Sequence, residues 1–162
     1  MNFTQSALTR QAPVDIVFRA VCLDICHDLD MDRASVWGFQ ANDPVLVMAA
    51  GFDRRHCRFE TGQSIQAAAH PGYFHELYTS DLIEVGDALT DPRLASLRDG
   101  YLVPAGVVAL LDLVSVDAVD RAIVLCCEQT EHCRRPWRPK DRAYLSAMAR
   151  LVGLSARFGA QG

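Results

Sequence analysis

Two segments in the second half of the sequence have apolar residues at both odd- and even-numbered positions, so that both sides of a strand would be apolar. This pattern restricts the fold more than any other feature. In residues 107–114 both alternating sets are apolar, with Asp112 as the exception. Residues 121–129 repeat the pattern after a polar segment, 117–120, that is typical of a turn. A strand that is apolar on both sides is covered on both sides. The sequence therefore predicts two central strands of a sheet that lies between helices.

Helical periodicity marks the two ends of the chain. Apolar residues recur at three- and four-residue spacing from Val14 to Leu29, just after Pro13, which suits the first turn of a helix. A second helix is predicted over residues 139–158, and it is apolar almost all round apart from a stripe of arginines. One sheet face cannot cover so wide an apolar surface. We therefore expect the terminal helices also to form a homodimer interface. The alternative is a last helix sunk deep between the sheet and the first helix.

Shorter elements are predicted between the two helices, and together they define the fold class. They are a hairpin of strands at 34–39 and 45–50, a short strand within 59–65 with a bend at Gly62, a helix at 71–79, a strand at 82–85, and a helical block at 91–102 that closes before Pro104. Residues 1–12 lack usable periodicity, and we expect a flexible lead or a dimer-contacting extension before a single domain at 13–159 and a tail at 160–162. The predicted fold is α/β (α+β), with a central antiparallel sheet of about five or six strands and helices on both faces.

Several short motifs occur in a fixed order between Arg33 and Phe158, and the most specific is the central block, Asp91-Pro92-Arg93 followed by Leu-Arg-Asp-Gly-Tyr-Leu at 97–102. The others lie at 33–39, 73–74, 83–88, 106–107, 111–113, 123–128 and 135–139. In order and spacing they resemble the GAF domain, a small α/β sensor module that bacteria place in front of signalling outputs such as histidine kinases and diguanylate cyclases. Such a resemblance predicts fold better than ligand.

The resemblance also implies a ligand site. In GAF domains a small ligand lies between the sheet and the connecting segments that cover one face, which correspond here to the helix at 73–74, the loop 87–92 and the block 91–102. Seven residues are candidates: Phe74 and Tyr101 for stacking on a flat ligand, Arg93 or Arg98 for pairing an anion, and Asp87, Asp112 and Glu128 for accepting hydrogen bonds.

Each candidate also has a structural interpretation. Asp87 and Asp91 are typical of turn and cap positions, Arg93 and Arg98 could form ion pairs with Asp91 and Asp99, and Tyr101 could belong to the core. Asp112 is the most informative of the set, because an acid in the middle of an apolar strand must be paired, capped or functional.

Cofactor-binding and enzymatic relatives of the family make specific demands that the residues do not meet. Some GAF proteins bind a linear tetrapyrrole through a Cys-His pair just before the Tyr-Leu of the central block, and the run 97–102 has neither residue. We therefore do not expect covalent bilin. The glycine-flanked cysteines of the free methionine sulfoxide reductase are not recognisable, since the matching loop 61–64 reads Thr-Gly-Gln-Ser. The chain contains no phosphate-binding loop and no Gly-x-Ser-x-Gly motif, so we expect no catalysis.

The six cysteines allow a redox alternative but argue against a metal site. There is no Cys-x-x-Cys pair, and neighbouring strand residues Cys126 and Cys127 point to opposite faces. Cys57 and Cys133 each lie between arginines and a histidine. Nearby cations lower the pKa of a thiol and favour the reactive thiolate. A thiol redox role for these two cysteines is one hypothesis, and unreactive surface thiols are the other.

Bulk properties limit the remaining classes of function. With 162 residues, a net charge of −4 and a pI near 5.7, the chain has no broad basic field, so we do not expect nucleic acid as a partner. The first residues do not resemble a signal peptide, and no apolar run is long enough for a membrane span, so we expect a cytoplasmic protein with free thiols.

The sequence thus predicts a non-catalytic small-molecule- or signal-sensing domain of a bacterial signal-transduction system. It would act as a dimer on an output domain or protein, with a ligand that the sequence does not identify. Two alternatives remain open. One is a thiol-based redox sensor or an enzyme like methionine sulfoxide reductase, and the other is a dimerisation module without a ligand.

Overall fold

A seven-stranded antiparallel sheet forms the centre of the computed structural model, which describes residues 2–40, 43–116 and 122–159. The strands are β1 Arg33–Gln40, β2 Asp43–Asp53, β3 Arg58–Glu60, β4 Ser64–Gln66, β5 Leu82–Val85, β6 Ala109–Val116 and β7 Ala122–Gln129. The helices are α1 Asn2–Thr9, α2 Val14–Leu29, α3 Pro71–Thr79, α4 Val103–Ala105 and α5 Pro139–Gly159. The predicted turns at 41–44 and 117–120 fall wholly or partly outside the described residues.

The strand order is β3-β2-β1-β7-β6-β5, and β4 also pairs with β2. The two segments that are apolar on both sides, β6 and β7, pair with each other and have a further strand on their other edges. Their position inside the sheet confirms the prediction of two central strands. The predicted antiparallel sheet with helices on both faces is confirmed as well.

Each face of the sheet has its own hydrophobic core. On one face, α2 and α5 pack against the sheet through residues such as Ile25 and Leu145, which share a core with Leu111 and Leu125. The opposite face lies under α3 and the helical segment 92–105, and its core includes Trp37. We call this second surface the cover face.

Helix α1 is not among the elements that the sequence predicts. Its first turn is attached to α2, because the backbone N–H groups of Phe3 and Thr4 donate to the two carboxylate oxygens of Asp24, at 3.1 and 2.8 Å. A carboxylate at a helix N-terminus satisfies otherwise unpaired N–H groups and interacts favourably with the helix dipole. This contact joins residues about twenty positions apart, so a search for local periodicity does not detect it.

The helical block of the central motif extends further than predicted. It begins with a 3₁₀ segment at Pro92–Leu97, continues as a π-type turn at Arg98–Leu102, and ends in α4. The prediction that it closes before Pro104 is wrong, because Pro104 lies in the first turn of α4, where its missing N–H costs nothing. The segment ends at Gly106, whose φ of +69° is the left-handed conformation that favours glycine.

Helix α5 is held at its N-terminus by Asp141, which is fully buried. The carboxylate accepts hydrogen bonds from the backbone N–H of Arg138, at 2.8 Å, and from the guanidinium group of Arg135, at 2.7 and 2.9 Å. The bond to Arg138 is one half of a capping box. Among the described residues, no helix has the length and apolar character that crossing a membrane requires.

Candidate ligand site on the cover face

Two neighbouring rows of side chains carry polar groups across the cover face. In one row, Asp112 on β6 is in register with Cys126 on β7, which is in register with Ser35 on β1. In the next row, Glu128 on β7 is in register with Arg33 on β1. Residues two positions apart on a strand point to the same face. The register therefore gathers these polar side chains under α3 and segment 92–105, and all of them are buried.

Helix α3 contacts the first row through Tyr73. The helix begins at Pro71, and its first turn directs Tyr73 and Phe74 into the core. The phenol of Tyr73 donates to Asp112 Oδ2 at 2.6 Å. Burial and the neighbouring Asp112 carboxylate raise the pKa of Tyr73, so its hydroxyl stays protonated and remains a donor.

Asp112 combines a raised pKa with an unused hydrogen-bonding position. Burial raises its pKa to about 7, against the lowering effect of the hydrogen bond from Tyr73. The thiol of Cys126, a weak donor, lies beside the carboxyl group and also lowers this pKa. Even so, none of the described residues meets the geometry of a hydrogen bond to Asp112 Oδ1. Native proteins pair nearly all such buried atoms, so this oxygen requires an explanation.

Segment 92–105 contacts the second row through Tyr101. Its phenol donates to Glu128 Oε1 at 2.5 Å, and the other oxygen of Glu128 accepts from Arg33 Nε at 3.2 Å. The two remaining guanidinium nitrogens of Arg33 bind Asp53 at 3.1 Å and Glu60 at 3.2 Å. Burial alone would lower the pKa of Arg33, but Glu128 and the other acidic neighbours raise it. Arg33 is therefore charged and saturated with carboxylates.

Aromatic side chains occupy the space between the two rows and the covering segments. Trp37 is buried, and its indole N–H donates to Ser35 Oγ at 2.8 Å. Its ring meets the ring of Tyr101 edge to face, with centroids 6.3 Å apart. Phe74 is equally buried and packs edge to face against Phe39, at 5.8 Å. A flat ligand would meet aromatic surfaces on this face.

The structure gathers four of the seven predicted ligand residues and leaves three outside. Phe74, Tyr101, Asp112 and Glu128 lie together on the cover face. The three outside the site are Arg93, which is bound to Asp91 at 2.8 Å and to the Glu84 carbonyl at 3.2 Å, and the exposed residues Asp87 and Arg98.

Sequence reasoning missed Tyr73, Arg33 and Ser35. The alternation of polar and apolar residues at the start of β1 is a local signal that Arg33 and Ser35 share a face. Their partners on β7 follow from the strand order, which that signal does not contain.

A comparison of the sequence with family models decides the family. The model of the GAF domain matches residues 13–156, which is most of the chain. The chain belongs to the GAF domain family. The resemblance seen in the ordered motifs is thereby confirmed, and no curated protein matches the sequence.

Solved GAF domains share the fold. The phycocyanobilin-bound GAF domain of a cyanobacterial phytochrome has a TM-score of 0.75 and 13% identity, over 94% of this chain and 89% of that one. The GAF domain of a phosphoenolpyruvate-protein phosphotransferase from Acinetobacter also reaches 0.75, with 11% identity, over 99% of this chain and 92% of that one. A bacteriophytochrome from R. palustris reaches 0.72 with 16% identity, over 97% of this chain but 36% of its own. At these identities the likeness concerns the fold alone.

The two cysteines of the redox hypothesis, Cys57 and Cys133, lie in different surroundings. Cys57 is exposed in a turn, with a φ of +48°. Three of the four cations next to it in sequence are paired with carboxylates: Arg54 with Asp30 at 2.8 Å, His56 with Asp53 at 2.8 Å, and Arg58 with Glu60 at 2.9 Å.

The pKa of Cys133 shifts in the opposite direction to the one that the sequence predicts. Burial and the Asp32 carboxylate raise its pKa, although its neighbours in sequence are basic. Arg135, two positions along the chain, is bound to Asp141 at 2.7 Å. Burial also raises the pKa of Cys22, Cys26, Cys126 and Cys127. Among the described residues, no three His, Cys, Asp or Glu side chains are grouped so that they could hold a metal ion.

Proposed function

We propose that this GAF domain senses a small molecule or signal without catalysis, in a bacterial signal-transduction system, and that it acts as a dimer. One observation carries the proposal. Each of the two segments that cover the sheet is attached to it by a hydrogen bond between a phenol and a buried carboxylate, Tyr73 to Asp112 and Tyr101 to Glu128. A ligand that competes for either carboxylate would release a covering segment.

The strands offer a route from this site to the terminal helices. Asp112 lies on the cover face, and its neighbour Leu111 belongs to the core that contains Leu145 and Met148 of α5. Likewise, Glu128 follows Cys127, which lies in that same core. A displacement of β6 or β7 on ligand binding would therefore alter the packing of α5. Ligand binding shifts the populations of two such packings only if it favours one of them.

Surface composition near the N-terminus supports a dimer through the terminal helices. Phe3 on α1 and Val14 and Ile16 on α2 are large apolar residues, and they are 55%, 59% and 43% exposed. Exposed apolar surface on such helices is typical of an interface between protein chains. The proposed location is the cytoplasm, where free cysteines such as Cys57 remain reduced.

A covalently attached linear tetrapyrrole, which would match the ligand named for the cyanobacterial phytochrome domain, does not fit the residues present. Segment 92–105, which covers the site, contains no cysteine. The cysteine of the cover face is Cys126, and burial raises the pKa of its thiol. We therefore propose a ligand that is held without a covalent bond.

Native mass spectrometry of the protein as purified, without chelator or added ligand, tests this function. A dimer with a discrete additional mass supports it, and the mass gives the identity of the ligand. A monomer at micromolar concentration contradicts the dimeric part. A dimer without additional mass whose amide resonances respond to no member of a metabolite library supports the dimerisation module instead. Alkylation of one cysteine, Cys57 and Cys133 included, far faster than a free cysteine in an unstructured peptide under native conditions would favour the redox alternative.

A further inference from the structure

One oxygen of the buried Asp112 carboxyl group, Oδ1, has no hydrogen-bond partner among the described residues. Asp112 is 2% exposed. Its other oxygen is bound to Tyr73 at 2.6 Å. A buried carboxyl oxygen without a donor is costly, and that cost is removed when a donor arrives. The thiol of Cys126 beside the carboxyl group is a weak donor that does not meet the geometry of a hydrogen bond to this oxygen, so a ligand with an N–H or O–H group would supply the missing strong donor.

Arg33 and Arg93 are already paired with carboxylates and are therefore not available to an anionic ligand. Arg33 provides the positive charge of the cluster, and its Nε, Nη1 and Nη2 atoms contact Glu128, Asp53 and Glu60 respectively. Arg93, for which the sequence predicts an anion-binding role, is held by Asp91 outside the site. An anion would have to separate one of these ion pairs before it gained a partner.

The balance of charge also favours a cation. Three carboxylates surround the guanidinium group of Arg33; Glu60 also contacts Arg58, at 2.9 Å, and Asp53 contacts His56, at 2.8 Å. The carboxyl group of Asp112 lies in the adjacent row, so the acidic groups outnumber the two arginines. The surrounding core is apolar, so electrostatic interactions are weakly screened. A positive charge placed at Asp112 would be stabilised by ionised carboxylates, and a negative charge would be repelled.

We propose that the cover-face site takes a small cationic ligand with N–H donors, of the amidinium or ammonium class, and that Asp112 is the residue that binds it. This inference rests on the proposed sensing function and adds the chemical class of the signal. A planar amidinium group presents two parallel N–H donors, which match the two oxygens of one carboxylate. Its second donor would replace the phenol of Tyr73 on Oδ2, and so it would remove the hydrogen bond that joins α3 to β6.

Acetamidinium and acetate form a matched pair of probes, since they are planar, of similar size and opposite in charge. Each is titrated into the ¹⁵N-labelled protein at pH 7.5 and constant ionic strength, above the pKa of about 7 that Asp112 has in the folded protein, and the amide resonances of Asp112, Cys126 and Tyr73 are followed by NMR. We expect acetamidinium to shift these three resonances with saturation, and acetate at equal concentration to leave them unchanged.

Three variants locate the binding. Asp112→Asn removes the charge at nearly constant shape, and we expect it to weaken acetamidinium binding by about tenfold or more, as for the loss of a charged hydrogen bond. Tyr73→Phe frees Oδ2, so it should strengthen binding by roughly threefold or more. The matched control is Asp81→Asn, the same substitution at an exposed position before β5, and it should bind as the wild type does.

The possible results separate the ligand class from the sensing function. Saturable shifts from acetate, or equal binding of acetamidinium to the wild type and to Asp112→Asn, would overturn the cationic class and leave sensing intact. If neither probe shifts the three resonances, Oδ1 is satisfied by buried water and the cationic class is likewise wrong. The sensing function itself fails on different data, namely a protein that carries no additional mass in native mass spectrometry and whose amide resonances respond to no member of a metabolite library.

Discussion

Replacing Asp112 with asparagine should make the protein more stable at neutral and alkaline pH. Asp112 has a pKa of about 7 in the folded protein, against an ordinary value of 3.8. Between these two pH values the folded state retains a proton that the unfolded state has lost. The free energy of unfolding of the wild type therefore falls as pH rises through this range, and the dependence ends above the folded pKa.

The size of the effect follows from the two pKa values. At about 1.36 kcal/mol per pH unit, the full difference corresponds to roughly 4 kcal/mol, most of it lost by pH 7. An asparagine side chain in this position would resemble the protonated carboxyl group at every pH. The stability advantage of Asp112→Asn over the wild type should thus grow by between about 2 and 3 kcal/mol from pH 5 to pH 8.

Two of the groups that face Asp112 keep their protons between pH 5 and pH 8 and so do not add to the pH dependence. Tyr73 on α3 and Cys126 on β7 face Asp112, and burial raises the pKa of both above its ordinary value, so they stay neutral. Glu128 is the third acidic neighbour, and its charge helps to raise the pKa of Asp112. Taking the difference between variant and wild type cancels the titration of distant carboxylates.

Urea unfolding followed by tryptophan fluorescence at pH 5, 6, 7 and 8 measures the effect. The midpoint and slope give the free energy of unfolding of each protein. Asp81→Asn, the exposed control, should differ from the wild type by a constant amount. A stability difference for Asp112→Asn that stays constant with pH, or that widens toward pH 5, would refute the reasoning.

Three further predictions concern other contacts. Tyr101→Phe removes the hydrogen bond to the buried Glu128, so it should lower the free energy of unfolding by about 1 to 3 kcal/mol, and an unchanged urea midpoint would contradict this role. Asp24→Ala should free the first turn of α1 at a cost of about 1 kcal/mol, seen as faster hydrogen exchange at the Thr4 amide; equal exchange would show that other contacts hold the helix. Iodoacetamide should modify Cys57 before the other cysteines, whose burial or raised pKa slows reaction, and peptide mass spectrometry with a denatured control identifies the order.

Elements with local signals were predictable from the sequence. Helix α3 has the predicted bounds, because Pro71 marks its start and apolar residues recur at helical spacing after it. Strand β5 also matches, at Leu82–Val85. Asp112 stands out for a local reason too, as an acid in an apolar strand. In each case the information lies within a few residues of the element itself.

The rest depended on contacts between distant parts of the chain. Arg33 and Glu128 are 95 positions apart, and Tyr73 and Asp112 are 39 apart. Nothing in the sequence around Arg33 indicates that three carboxylates will saturate it. The ion pair that holds Arg93 outside the site is different, because its partner Asp91 is only two positions away and the sequence already offers it as the structural alternative.

The position of β1 between β2 and β7 has a consequence for how the protein is made. The sheet becomes continuous only when β7 pairs with β1, which places Glu128 beside Arg33. A chain emerging from the ribosome therefore carries Arg33 without its central carboxylate partner until residue 128 has been synthesised. Pairings of such long sequence separation form slowly and leave strand edges exposed in the meantime. The interval before residue 128 is synthesised is thus when this protein is most open to aggregation and to assistance by chaperones.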